Sequence, residues 1–513
     1  MNRMRVLLIS VFILTISVVG IARTSIDGLS VEYSITPLGI DVETPRFSWI
    51  MIAPEGERGY SQKAYRIEVR NPSGKIVWDS ERVESDVSLG IEYGGLSLEA
   101  TSRYHWYLTV WDQNGDSASN TSWFETGLMN PDQSAWDGAQ WIGGAPEDMP
   151  LYSHYLSVFT LEYDIQLDEA SASTRAGFVF GANDHRLLDK NMNIYGIQSG
   201  IDGHYIKLVL DLSGLEGSDP GMARFHIYRV GYHPDDKEDV PFKTIDIPHS
   251  LISNENRYQT HQIAVESVFG LLQIFVNGRE KENRIGGRGS SRFGRGGINI
   301  NPMGMGGDYI SFPMLADLGY SLDAGQKARY STVTVKNFRK PSNVLYQEAG
   351  KELDGGDKGL FEVSDPSHSA MPILRTAFIT KDVNIAHARL YVTARGIYEM
   401  YLNGHRVGKD WFNPGLTQYN KTHLYQSYDV THMIQNGGEN ALGAWLGEGW
   451  WSGNYTFLGT NWNFFGDRQS LLAKLVIRYE DGSIGVVTSN DQEWKYYDDG
   501  PVRYGSFFQG EVY

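Results

Sequence analysis

The sequence predicts an all-β protein of three consecutive β-sandwich domains behind a signal peptide. Short runs of alternating apolar and polar residues recur between Gly, Pro and Asn turns. Asn-Gly and Asp-Gly pairs separate several of these runs, a strong hairpin signal. Past the leader, no segment sustains an amphipathic helical period; at most a short turn near Thr431 to Gln435 fits one. At 513 residues the chain exceeds one hydrophobic core and predicts about three to four domains.

The leader has Arg3 and Arg5, an apolar run from Val6 to Val19, and small residues at Gly20 and Ala22. About 14 apolar residues fall short of the ~20 needed to cross a bilayer. Export is therefore expected, with residues 1–22 removed and the mature chain periplasmic or extracellular. No later segment is apolar enough for a membrane span. The chain has no cysteine, which excludes disulfides, thiol chemistry and lipid attachment through an N-terminal Cys. A net charge of -17 disfavours nucleic acid as a partner and leaves neutral glycans compatible.

The first domain, residues 27–128, contains the alternating runs Tyr65–Arg70 and Tyr104–Trp111, the second ending in the turn Asp112-Gln113-Asn114-Gly115. A link over 129–150 carries Trp136 and Trp141 as packing anchors. The second domain, residues 150–340, shows strand-like runs at Tyr155–Asp164, Ala176–Phe180, Tyr205–Leu210, Arg224–Val230 and Leu271–Val276, the last before Asn277-Gly278. Its glycine-dense stretch 284–307, with Arg284, Arg288, Arg292 and Arg295, resembles an RNA-binding tract but reads as a long loop in so acidic a chain. After a polar link over 341–357, the third domain, residues 360–513, includes Ala388–Thr393, Tyr398–Leu402 before Asn403-Gly404, and Leu471–Tyr479 before Asp481-Gly482.

Three stretches of the third domain carry a resemblance: 388–399 (ARLYVTARGIYE), 402–408 (LNGHRVG) and 413–419 (NPGLTQY). They continue through Tyr425–Thr431 and Gly438–Leu442 to Leu446-Gly447-Glu448-Gly449-Trp450-Trp451. In this order they resemble the β-sandwich that precedes the catalytic barrel of bacterial α-L-rhamnosidases. The first domain is similar to that family's fibronectin-like leader through Thr44–Trp49, Tyr104-His105-Trp106, Val110-Trp111-Asp112 and Phe124–Gly127. The middle region is similar to a concanavalin-like module that some members use to bind sugar, through Ala176–Asp184. The resemblance implies a jelly-roll-like third sandwich and, beyond Gly510-Glu511-Val512-Tyr513, an α/α barrel where acidic residues perform inverting hydrolysis. This chain is then the ancillary portion of a secreted α-L-rhamnosidase acting on terminal α-L-rhamnosyl residues, and is inactive alone. Its partners are a rhamnose-containing glycan and the missing C-terminal catalytic domain. The alternatives are a stand-alone secreted glycan-binding or adhesion protein, and an enzyme of other specificity on the same plan.

Inverting hydrolysis needs one carboxylic acid and a second carboxylate about 6.5–9.5 Å away. Glu448, between two glycines and before Trp450 and Trp451, is the tempting acid because aromatic surroundings raise a carboxyl's pKa. The resemblance places it in an accessory sandwich, so no catalytic residue is assigned. Asn183, Asp184, Asn191 and Asn193 offer hard oxygens for a sugar or for Ca2+, with Asp184 the metal ligand, or they form a polar hairpin loop. Trp445, Trp450, Trp451, Tyr455 and Trp462 provide either a sugar-stacking platform, led by Trp450 and Trp451, or packing. No cofactor is required, and nucleophile-elbow, phosphate-loop and His-Glu-x-x-His motifs are absent.

Overall fold

The computed structural model describes residues 24–53, 55–56, 58–144, 151–193, 195–218, 221–286, 296–302, 312–453, 463–506 and 510–513. The leader, Arg288, Arg292, Arg295, Tyr455 and Trp462 lie outside the described residues. Every named strand pairing is antiparallel, and the one α-helix among the described residues is the single turn His185–Leu188.

In the first unit a sheet of Ser25–Val31, Arg46–Ile52 and Ile91–Glu92 faces one built on Ile76–Asp79, Gln62–Arg70, Arg103–Asp112 and Ser117–Glu125. The alternation predicted for Tyr104–Trp111 is realised in the strand Arg103–Asp112: Tyr104, Trp106, Leu108 and Val110 point into the core. Phe47 of the facing sheet meets Trp106 edge-on at 4.9 Å. The expected turn after this strand forms because Asp112 Oδ1 accepts from the amides of Asn114 and Asp116 and Gly115 takes φ +86°.

The middle unit packs a six-stranded sheet on a seven-stranded one. The first runs Lys243–Ile247, Ala223–Val230, Tyr205–Asp211, Arg175–Ala182, Asp317–Leu322, Leu360–Ser364. The second runs Arg284–Ile285, Leu271–Val276, His261–Val268, Val158–Leu167, Lys327–Lys336, Val344–Asp354, with Ile298–Asn299 beside Leu271–Val276. Tyr163 and Phe178 stack across the gap at 4.6 Å. The structure moves the boundary expected from the sequence. Val344–Asp354 lies within the stretch read as a link, yet it is an edge strand of the middle unit, and Leu360–Ser364 also belongs there. Both are mostly exposed or half-buried, so they lack the apolar alternation that marks a core strand.

The third unit has a five-stranded sheet (His405–Arg406, Ile397–Leu402, Glu439–Gly447, Ile373–Ile379, Lys495–Tyr497) and a four-stranded one (Gln426–Asp429, Ile385–Arg395, Ser470–Tyr479, Ile484–Thr488). Asn403 and Gly404 both take positive φ, as a two-residue hairpin turn demands, and Thr431–Met433 forms the short turn expected there.

The first and third units touch directly. Glu125 Oε2 accepts from Arg389 Nε at 2.6 Å, and Oε1 accepts from Arg389 Nη2 at 2.7 Å and Arg103 Nε at 2.6 Å. The Tyr425 hydroxyl donates to Asp41 Oδ2 and accepts from the Leu128 amide. Trp136 of the link packs with Tyr391, Leu472 and Val476, so the anchor expected from the sequence is found. The middle unit is inserted between them, its two ends joined by a bridge from Leu151 to His368.

Candidate functional site

A cleft of about 570 Å³, counting its open mouth, lies where the middle and third units meet. Tyr152 and Tyr155 come from the turn that opens the middle unit, and Glu448, Ser452, Gln469 and Tyr504 from the third. Tyr155 and Tyr504 stack at 5.1 Å with 7° between their planes, and Tyr152 stacks on Tyr155 at 5.3 Å. Glu448 follows the strand Glu439–Gly447 and begins a turn closed by the Trp451 amide on its carbonyl. That turn requires glycine next: Gly449 has φ +57°, and a Cβ there would come within 2.8 Å of Ile397 Cγ2.

Glu448 as a residue is only part-buried, but its Oε2 is sealed from solvent. Burial pushes its carboxyl up to about 8, with Tyr504 acting in the opposite sense. Gln469 donates to Ser452 Oγ at 2.8 Å, and its Oε1 has no partner among the described residues. The other carboxylate lining the cleft is Asp467. Its Oδ1 accepts from Arg468, and its Oδ2 from Lys340 and Asn343. Burial alone would raise this group, but Arg468 and Lys340 hold it below the ordinary carboxylate range. The cleft therefore combines flat aromatic faces with a neutral carboxylic acid that can donate and accept, while its ionised carboxylate is pinned.

Close by, in the middle unit, Asn183 takes φ +56° after the strand Arg175–Ala182. Its Nδ2 donates to Asp317 Oδ2 at 2.9 Å and Asp202 Oδ1 at 3.1 Å, and its Oδ1 accepts from the Asp202 amide. Asp184 is wholly buried. It caps the turn His185–Leu188 and forms a two-oxygen ion pair with Arg186. Burial opposes its ionisation, but Arg186 holds it in the charged form. Asp184 thus offers no open oxygen to a sugar or a cation, which corrects its expected role as metal ligand: the guanidinium two residues along takes the place of the ion. Asn193 is likewise spent on the carbonyls of Arg186 and Ile197.

Three other donors do converge here. His154 Nε2 lies 3.3 Å from Asp317 Oδ1 and 3.8 Å from Asp365 Oδ2, and His185 stacks on the His154 ring at 4.2 Å. Nothing in the sequence marks these three, because more than a hundred residues separate His154 from Asp317 and only the sheet topology brings them together. The tyrosines of the cleft were missed for the same reason.

The tryptophans belong to the third unit, apart from Asn183 and Asp184. Trp451 donates Nε1–H to the Arg468 carbonyl at 3.0 Å and packs against Tyr419 and Phe465. Trp450 is half-buried like Trp451 and meets Phe412 at 6.4 Å.

Residues 26–130 match the Rha78A-like N-terminal immunoglobulin domain, and residues 383–513 match the alpha-L-rhamnosidase N-terminal domain. The chain carries α-L-rhamnosidase N-terminal domains. Over 504 residues, 94% of the chain, it is 28% identical to an alpha-L-rhamnosidase of Streptomyces avermitilis, of which it spans 42%. Over 152 residues it is 40% identical to an alpha-L-rhamnosidase of Alteromonas sp. (strain LOR), covering 29% of this chain and 16% of that one. The crystal structure of the Streptomyces avermitilis alpha-L-rhamnosidase complexed with L-rhamnose superimposes with a TM-score of 0.54 at 25% identity, covering 96% of this chain and 42% of the enzyme. The first unit is accordingly immunoglobulin-like. The chain thus spans less than half the length of this α-L-rhamnosidase relative. No helix of the described residues is long and apolar enough to cross a membrane.

Proposed function

We propose that this chain is the exported, non-catalytic part of an α-L-rhamnosidase that hydrolyses terminal α-L-rhamnosyl residues of glycans with inversion. Its own task is to hold a rhamnose-containing glycan. In this reading the middle sandwich is concanavalin-like, the third is jelly-roll-like, and a catalytic barrel lies outside the chain.

The observation that carries the proposal is the isolation of Glu448. It is a neutral acid in a cleft whose other carboxylate, Asp467, has its oxygens occupied by Arg468, Lys340 and Asn343. Inverting hydrolysis requires a carboxylate free to take a proton from water on the far side of the sugar ring, and Asp467 cannot serve. A neutral carboxyl beside tyrosine faces suits uncharged hydroxyls and apolar sugar faces. The test is hydrolysis of a chromogenic α-L-rhamnoside by the mature chain, run beside calorimetric titration with rhamnose oligosaccharides. Saturable binding without turnover is expected, and turnover by this chain alone would overturn the non-catalytic reading.

A further inference from the structure

We infer that His154, Asp317 and Asp365 form a binding site for one divalent transition-metal cation. The donors arrive from three separate segments: the turn Ser153–Tyr155 that opens the middle unit, the first residue of the strand Asp317–Leu322, and the residue that follows the strand Leu360–Ser364. All three ligand atoms lie within 4.8 Å of one another. Donors held at about 2.1 Å around a tetrahedral ion stand about 3.4 Å apart. The 3.3 and 3.8 Å contacts of His154 are near that spacing, and Asp365, whose side chain is 45% exposed, has room to close the third side.

The surroundings aim these atoms at a common point. Asp317 Oδ2 is taken by Asn183 at 2.9 Å, which leaves Oδ1 toward His154. Asp365 Oδ1 accepts from Ser153 Oγ at 2.7 Å and the Ser367 amide at 2.9 Å, which leaves Oδ2 toward the same nitrogen. Partners on the far oxygen of each carboxylate are what orient metal ligands elsewhere.

The imidazole that supplies the nitrogen is held out of solvent. The His154 side chain is only 8% exposed, and its buried Nδ1 has no hydrogen-bond partner among the described residues. One imidazole with two carboxylates suits zinc and its neighbours, whereas calcium prefers oxygen alone. Three ligands leave a fourth position for water. In a chain with no cysteine, such an ion would tie the opening of the middle unit to its end.

The experiment is calorimetric titration of the untagged, chelator-treated chain with zinc chloride and, separately, calcium chloride, repeated on H154Q and D365N. The expected result is one equivalent of zinc at micromolar affinity or tighter, weakened at least tenfold in either variant, with D365N melting like the parent in chelator. Asp365 is half exposed, so D365N keeps the test open should H154Q fail to fold. Absence of saturable zinc uptake, unaltered uptake in D365N, or a preference for calcium would overturn the proposal.

Discussion

Glu448 makes stability depend on pH in the sense opposite to an ion-paired acid such as Glu125. Its folded-state pKa, about 8, lies above the ordinary 4.5, so the folded chain holds the proton more tightly than the unfolded one. The stability tied to this proton is complete below about pH 4.5 and is lost as pH rises toward about 8, at up to about 1.4 kcal/mol per pH unit. E448Q removes the titration, and its urea midpoint is expected to gain on the parent steadily across that window. A midpoint difference that stays flat with pH would show Glu448 to be ionised throughout. Asp184 behaves differently, since D184N strands a buried guanidinium and is expected to cost about 3–5 kcal/mol, read as a lowered melting temperature. At this scale the sequence was half legible. Its polar cluster marked 183–184 as unusual, but whether Asp184 faces solvent or Arg186 depends on side-chain direction, which composition does not carry. Trp451 likewise stood out by residue type, while its Nε1 bond to the Arg468 carbonyl arises from a turn that no pattern announces.

Among elements, the joint between the strands Ser117–Glu125 and Ile385–Arg395 matters most. Glu125 and Arg389 are both nearly inaccessible. Burial would push the Glu125 carboxyl up, but Arg389 and Arg103 hold it below 4.5. Its contribution is therefore intact above about pH 4.5 and fades as pH falls below that value. R389M leaves Glu125 with Arg103 alone, and a loss near the lower end of about 3–5 kcal/mol is expected, with acid unfolding starting at higher pH. Guanidinium unfolding followed at several pH values checks both. Strands buried on alternate residues, such as Arg103–Asp112, were plain in the sequence, as were hairpins closed by Asn-Gly. Val344–Asp354 was not, because a strand at a sheet edge with mostly exposed side chains needs no apolar period to be held by its neighbour.

For the whole molecule, the order of domains could be read from runs and turns, but their contacts could not. The first unit grips the third across an ion pair separated by 264 residues, a relation invisible to any local window. Exported material is expected to begin at Arg23, which N-terminal sequencing of the secreted protein would show directly. The bridge between Leu151 and His368 has a further consequence. Because the ends of the middle unit lie side by side, the chain leaves the outer pair and returns to it at nearly one point. Residues 152–367 amount to a detachable cassette hung on a two-part frame. Splicing residue 151 to residue 368 with a few glycines should leave that frame folded, its Glu125–Arg389 clasp closed, and a socket into which a different module could be set.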